Sequence, residues 1–161
     1  MKFSLSFLFF LTILTSGCGC SNVKKTDQPK LVIVNVLDKA LYDDCHIKGS
    51  VHVPFEEFND WVTKNLQDNK IDINDHIIVY CSNYMCTASG YGAKLLTKLG
   101  FKNVWAYEAG VAEWFQKGHS IEGVCQKAYL KKVLDKPEHK EVDINIISTD
   151  DLAKKIENMQ K

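Results

Sequence analysis

Cys81 and Cys86 stand five positions apart in IIVYCSNYMCTASGYGAKLLTKLGF, residues 77–101. An apolar run stops at the first thiol, a short polar loop carries the second, and a helical pattern follows. A cysteine in such a place can be a nucleophile, half of a disulfide, or a small packing residue. Two thiols across a tight loop add a further possibility: Cys86 can resolve a persulfide or sulfenate on Cys81 by closing a disulfide, which makes a redox centre. Cys45, His46 and His52 are the other side chains with ligand chemistry, but their spacing fits no zinc pattern, so structural roles are expected and no metal. His46 reads as a hydrogen-bonded turn residue and not a general base. Trp105 and Trp114 read as packing, and GYG at Gly90 to Gly92 lacks the strand-turn context of a dinucleotide site. Cys45 and Cys125 can pair with each other only if the fold brings them together.

The elements that must position these residues alternate. Leu31 to Leu37 is a nearly continuous apolar run, suited to a strand buried on both faces. A turn at Lys48-Gly49 leads to a short strand at Val51 to Val53. Phe55 to Leu66 has helical spacing in Phe58, Trp61 and Val62. Ile77 to Tyr80 is the next buried strand. Ser89 to Leu99 reads as a helix with Ala93, Leu96 and Leu99 on one stripe, ended by Gly100. Asn103 to Gly110 gives a strand and turn, and Val111 to Lys117 a short helix stopped by Gly118. This order predicts an α/β sandwich with a mainly parallel sheet.

The 161 residues suffice for one domain plus extensions. Formal net charge is zero, which gives no bulk attraction to nucleic acid. The basic residues are all lysine, so the chain has no guanidinium for bidentate phosphate or carboxylate binding. MKFSLSFLFFLTILTSGCGC reads as an export signal over residues 1–17: a charged Lys2, an apolar stretch from Phe3 to Leu14, and small residues at Ser16-Gly17. LTSGC resembles a bacterial lipobox, with Cys18 a better lipidation site than Cys20, although Thr15 departs from the usual leucine. The expected product is a membrane-anchored lipoprotein on the periplasmic side of the envelope, or otherwise a secreted or periplasmic protein. Residues 18–30 read as a tether.

The residues from 31 to 121 resemble the rhodanese-like domain family. The resemblance rests on His46-Ile47-Lys48-Gly49-Ser50, Tyr80-Cys81, Leu96 to Phe101, and Ala109-Gly110 with Trp114, in the family's order and spacing. It implies a three-layer rhodanese-like sandwich with Cys81 as catalytic nucleophile at the carboxyl end of a parallel strand. It also implies that Ser82, Asn83, Tyr84, Met85, Cys86 and Thr87 curl into a cradle of backbone N–H groups opening on a helix N-terminus, which favours a thiolate. Such a thiolate can take sulfane sulfur, hold it as a persulfide and pass it on. A small sulfur donor, a thiol acceptor and no cofactor are expected.

Several positions depart from the family pattern. The usual loop arginine is absent, with Cys86, Thr87 and Ala88 at its candidate positions, and Tyr84 stands where a glycine is usual. Asn35 and Leu37 replace an Asp-x-Arg pair. Thiosulfate recognition is weakened, and Thr87 at the arginine position of the related phosphatase loop argues against phosphatase chemistry. Three readings stay open: a sulfur carrier or sulfurtransferase using a Cys81 persulfide, a thiol redox protein cycling Cys81–Cys86, and a non-catalytic binding module.

The family's usual opening strand and helix are missing before Leu31. Residues 142–147 at the far end look like a strand, and a helix follows, capped by Ser148 with Asp151 in a weak capping box and a Leu152–Ile156 pair. The expectation is a core at 31–124, then a connector plus strand-helix at 125–161 that completes the domain as a circular permutation, in the same chain or swapped into a neighbour.

Overall fold

The computed structural model describes residues 28–137 and 143–159. The expected signal segment 1–17, the lipidation candidate Cys18 and most of the tether lie outside the described residues, as does Val142 at the start of the expected tail strand.

Four strands form a parallel sheet: β1 (Leu31–Asn35), β3 (Val51–His52), β4 (His76–Tyr80) and β5 (Asn103–Tyr107), in the order β3-β1-β4-β5. Ile33 faces Ile78 and Val34 faces Val79 across β1 and β4. Ile77, Ile78, Val79 and Tyr80 are all fully buried. Helices cover both faces of a parallel sheet, so strand side chains on either side enter apolar layers. Each such side chain contributes about 1.5–3 kcal/mol.

The helices are α1 (Lys39–Asp44), α2 (Phe58–Gln67), α3 (Ala88–Lys98), α4 (Gly110–Gln116) and α5 (Thr149–Met159). The expected helix from Phe55 begins as a 3-10 turn, Phe55–Glu57, before α2. Helix α3 buries Ala93 and Leu96 and ends at Gly100, where the Phe101 N–H reaches Leu96 O at 3.2 Å. The Tyr80 hydroxyl sits buried between the Ile47 N–H at 3.0 Å and Ser50 Oγ at 2.8 Å, which ties the turn at Gly49 to β4.

Two features have no counterpart in the sequence expectations. Helix α1 forms because the Asp38 side chain caps it, accepting from the Leu41 N–H. Strands β2 (His46–Ile47) and β6 (Ile121–Glu122) pair antiparallel. They bring Cys45 and Cys125 into a disulfide across 80 positions of sequence. The Asp44 carboxylate accepts the N–H groups of Gln126 and Lys127 at 3.2 Å each, so the segment after β6 is also pinned to the end of α1.

The C-terminal tail packs on the same chain. Instead of the expected strand over 142–147, a single parallel bridge joins Ile146 to Ala106 of β5. The Ala106 N–H donates to Asn145 O at 2.9 Å, and the Ile147 N–H to Ala106 O at 3.0 Å. This segment therefore lies beside β5, beyond the edge of the four strands. Ser148 caps α5 through Asp151, with the Asp151 N–H 3.2 Å from Ser148 Oγ, and Leu152 is fully buried.

Candidate active site

The loop Cys81 to Thr87 leaves the carboxyl end of β4 and enters α3, where a parallel sheet presents its ligands. Its backbone is gripped from below. The Val111 N–H donates to Cys81 O and the Ala112 N–H to Ser82 O, both at 3.0 Å. The start of α4 approaches this closely because Gly110 has no side chain: a Cβ there would lie 2.5 Å from the Ser82 carbonyl carbon. The Ala109-Gly110 element is thus a clamp on the cysteine loop. Within the loop, Asn83 Oδ1 accepts the Met85 N–H at 3.0 Å, and Asn83 O accepts the Cys86 N–H at 3.0 Å.

Cys81 and Cys86 are both free thiols, but they differ in setting. Cys81 is fully buried, whereas Cys86 is half-buried. The Cys81 sulfur lies 3.2 Å from Cys86 O and 3.5 Å from Ser89 Oγ. The neighbouring Cys86 thiol interacts with it electrostatically. That interaction, together with burial, pushes the Cys81 thiol well above the ordinary range, so Cys81 keeps its proton. The same interaction draws the Cys86 thiol down to about 6, against the opposing effect of its partial burial. The N–H groups of Ala88 and Ser82 and the Ser82 hydroxyl reinforce this.

A cavity of about 370 Å³ opens over the loop, with Tyr84, Cys86, Thr87, Tyr91, Lys94 and Ile144 among its walls. Cys81 does not reach it. Met85 points to solvent, 78% exposed. A larger cavity of about 500 Å³ lies near Lys30, Ile33, Lys48 and Met159, and neither loop thiol lines it.

Tyr84, at the family's glycine position, donates to Glu113 Oε2 at 3.0 Å. Glu113 Oε1 accepts the Thr149 hydroxyl, and Thr149 Oγ1 lies 2.9 Å from the Tyr107 hydroxyl. Burial raises the Glu113 carboxyl, but the bonds from Thr149, Tyr84 and Lys117 outweigh it and leave it below the usual carboxylate range. Glu113, Ser89, Lys94 and Thr149 were not among the candidate residues of the sequence. Only Glu113 and Ser89 carry a faint signal, lying three positions after Gly110 and three after Cys86.

The remaining candidates sit away from the loop. The His46 Nδ1 bonds Tyr42 O at 2.8 Å, and its Nε2 lies 3.2 Å from Glu122 Oε2, so its role is structural. Cys45 is spent on the disulfide. Asn35 Oδ1 accepts the Leu37 N–H at 2.9 Å, a local turn in place of the family's charged pair. Gly90 and Gly92 lie inside α3.

A parallel sheet whose inner strand β4 ends in a cysteine loop held by α4 is the framework of the site. The family model described as "Rhodanese-like domain" matches residues 22–117. The chain belongs to the rhodanese-like domain family. The chain is 31% identical over 96 residues to a tRNA uridine(34) hydroxylase of Photorhabdus laumondii, covering 56% of this chain and 25% of that protein. The chain thus spans about a quarter of the length of the curated relatives it matches. Among solved structures it is similar to a Bacillus halodurans protein, with a TM-score of 0.50 and 27% identity over 59% of this chain and 65% of the other. The rhodanese-like domain of an Anabaena protein gives a TM-score of 0.50 and 26% identity over 61% and 86%. At the level of the family, the function is sulfur-related.

Proposed function

We propose that the Cys81–Cys86 loop handles sulfane sulfur, which makes the chain a rhodanese-like sulfur carrier or sulfurtransferase that works through a cysteine persulfide. One observation carries this reading: two free thiols five positions apart in one loop at the carboxyl end of β4, with the Cys81 sulfur 3.2 Å from Cys86 O and Cys86 open to a cavity. A thiolate held by N–H donors is the form that attacks a sulfane sulfur. The chain has no arginine, so a persulfide or polysulfide suits the loop better than the thiosulfate dianion. The test is mass spectrometry after exposure to polysulfide. The wild type takes sulfane sulfur from the polysulfide, held as a persulfide on a loop cysteine or released from it as sulfide, and a Cys81→Ser/Cys86→Ser double variant does neither. Uptake by the double variant equal to wild type would reject the reading.

The interaction between the two thiols also supports a second reading, a dithiol that cycles to a disulfide. It predicts closure of Cys81–Cys86 with a sulfur-free oxidant such as glutathione disulfide.

The proposed location is the oxidising side of a bacterial envelope, by export and lipidation at Cys18. The Cys45–Cys125 disulfide supports export, since such bonds persist in oxidising compartments. A small sulfur donor and a thiol acceptor are the proposed partners, with the membrane reached only through the anchor. The parallel pairing of Ile146 with β5 supports the proposal that the tail completes the domain as a circular permutation.

A further inference from the structure

We infer that sulfur enters this loop at Cys86, and that Cys81 is the resolving thiol that releases it as sulfide, so that the site reduces small organic persulfides. This rests on the sulfane-sulfur reading above and assigns its two thiols opposite roles from those that loop position alone suggests.

Three geometric facts carry it. First, access differs: Cys86 lines the cavity, and Cys81 is fully buried beneath it. Second, freedom differs. The Val111 and Ala112 amides and the close approach of Gly110 hold the backbone of Cys81 and Ser82 against α4, so Cys81 does not reach the cavity by a shift of its backbone. Third, the Cys81 sulfur is engaged inside the fold, 3.2 Å from Cys86 O and 3.5 Å from Ser89 Oγ. The low Cys86 thiol agrees with this arrangement.

The chemistry balances in two steps. The Cys86 thiolate attacks the terminal sulfur of a persulfide R–S–SH. A bond forms between Cys86 Sγ and that sulfur, the donor S–S bond breaks, and R–S⁻ leaves. Cys81 then attacks Cys86 Sγ. The Cys81–Cys86 bond forms, the bond to the outer sulfur breaks, and hydrosulfide leaves, taking up the Cys81 proton as hydrogen sulfide. The sulfane sulfur is reduced by two electrons and the dithiol is oxidised to a disulfide. In the second step Ser89 steadies the Cys81 sulfur as it loses its proton: its hydroxyl is 3.5 Å away. An external dithiol reductant resets the loop. The substrate class follows from the walls: Tyr84, Tyr91 and Ile144 offer apolar contact for the organic body of a small-thiol persulfide.

The experiment is a single turnover of the full chain with glutathione persulfide, with sulfide measured and each cysteine mapped by mass spectrometry. Wild type should release one sulfide per chain and close Cys81–Cys86. Cys81→Ala should hold a persulfide on Cys86 and release no sulfide above blank. Cys86→Ala should do neither. A Cys86→Ala variant that forms a Cys81 persulfide at the wild-type rate overturns the inference but leaves the sulfur-carrier reading intact. No uptake by wild type ends both. Brief iodoacetamide treatment of wild type at neutral pH is independent of how the variants fold. Cys86 should be labelled at least tenfold faster than Cys81, and the opposite order overturns the assignment.

Discussion

Thr149, the first residue of α5, donates its hydroxyl to Glu113 Oε1 at 2.5 Å. Glu113 also accepts the Tyr84 hydroxyl, so the tail helix and the cysteine loop share one carboxylate. The tail is thus a structural part of the site's surroundings. Thr149→Val, which keeps the shape but removes both hydroxyl bonds, should cost about 1–3 kcal/mol in denaturant unfolding. Leu152→Ala should cost about 2–5 kcal/mol, because Leu152 is fully buried. Deleting residues 140–161 should unfold the domain. A truncated chain with an unchanged melting temperature would reject the idea that the tail completes it.

The disulfide closes a loop across 80 positions between Cys45 and Cys125. Chain entropy alone assigns such a loop about 4–5 kcal/mol, and measured values for native disulfides run about 2–5. Asp44, whose carboxylate and carbonyl also hold the 125–127 segment, keeps part of the geometry when the bond is absent. The Cys45→Ala/Cys125→Ala protein should therefore lose about 2–4 kcal/mol in guanidinium unfolding. An unchanged midpoint would mean the bond adds nothing to the fold.

The parallel sheet is readable from sequence wherever burial is two-sided. Leu31 to Asn35 and Ile77 to Tyr80 are apolar runs because both faces are covered, and α3 shows its stripe and its glycine stop. What is not readable depends on partners far away in sequence. Helix α1 has six residues and rests on the Asp38 cap. Strands β2 and β6 have two residues each and gain meaning only from each other and the disulfide beside them. In the site, the spacing of Cys81 and Cys86 announces a pair. Which thiol faces the cavity follows from the packing of the loop on α4, and the tail supplies Ile144 as one wall, which no local pattern specifies.

Gly110 and Gly118 separate strain from collision. Both have positive φ, +62° and +72°, so alanine is strained at either position. At Gly118 nothing lies within 4 Å of an added Cβ, and Gly118→Ala should cost about 1 kcal/mol. At Gly110 the Cβ meets Ser82 and Cys81 backbone at 2.5–2.6 Å, and backbone cannot yield without loosening the loop. Gly110→Ala should cost about 2–4 kcal/mol, combining that strain with overpacking. Equal costs at the two sites, measured by thermal unfolding, would dispose of the clamp.

The interaction of the two thiols predicts a pH profile. A lowered thiol is already ionised at neutral pH, so alkylation of Cys86 should rise through about 6 and level off by about pH 7–8. A free cysteine with an ordinary pKa of about 8.5 would still be rising there. Cys81 is raised, so its labelling should stay low across the same range. The largest cause of the low Cys86 thiol is its interaction with Cys81, and Cys81→Ala removes it. The Cys86 inflection should then move up toward that of a free cysteine. Iodoacetamide rates by peptide mapping from pH 5 to 9 measure both curves. A Cys86 inflection that does not move in Cys81→Ala would show that the thiols titrate independently.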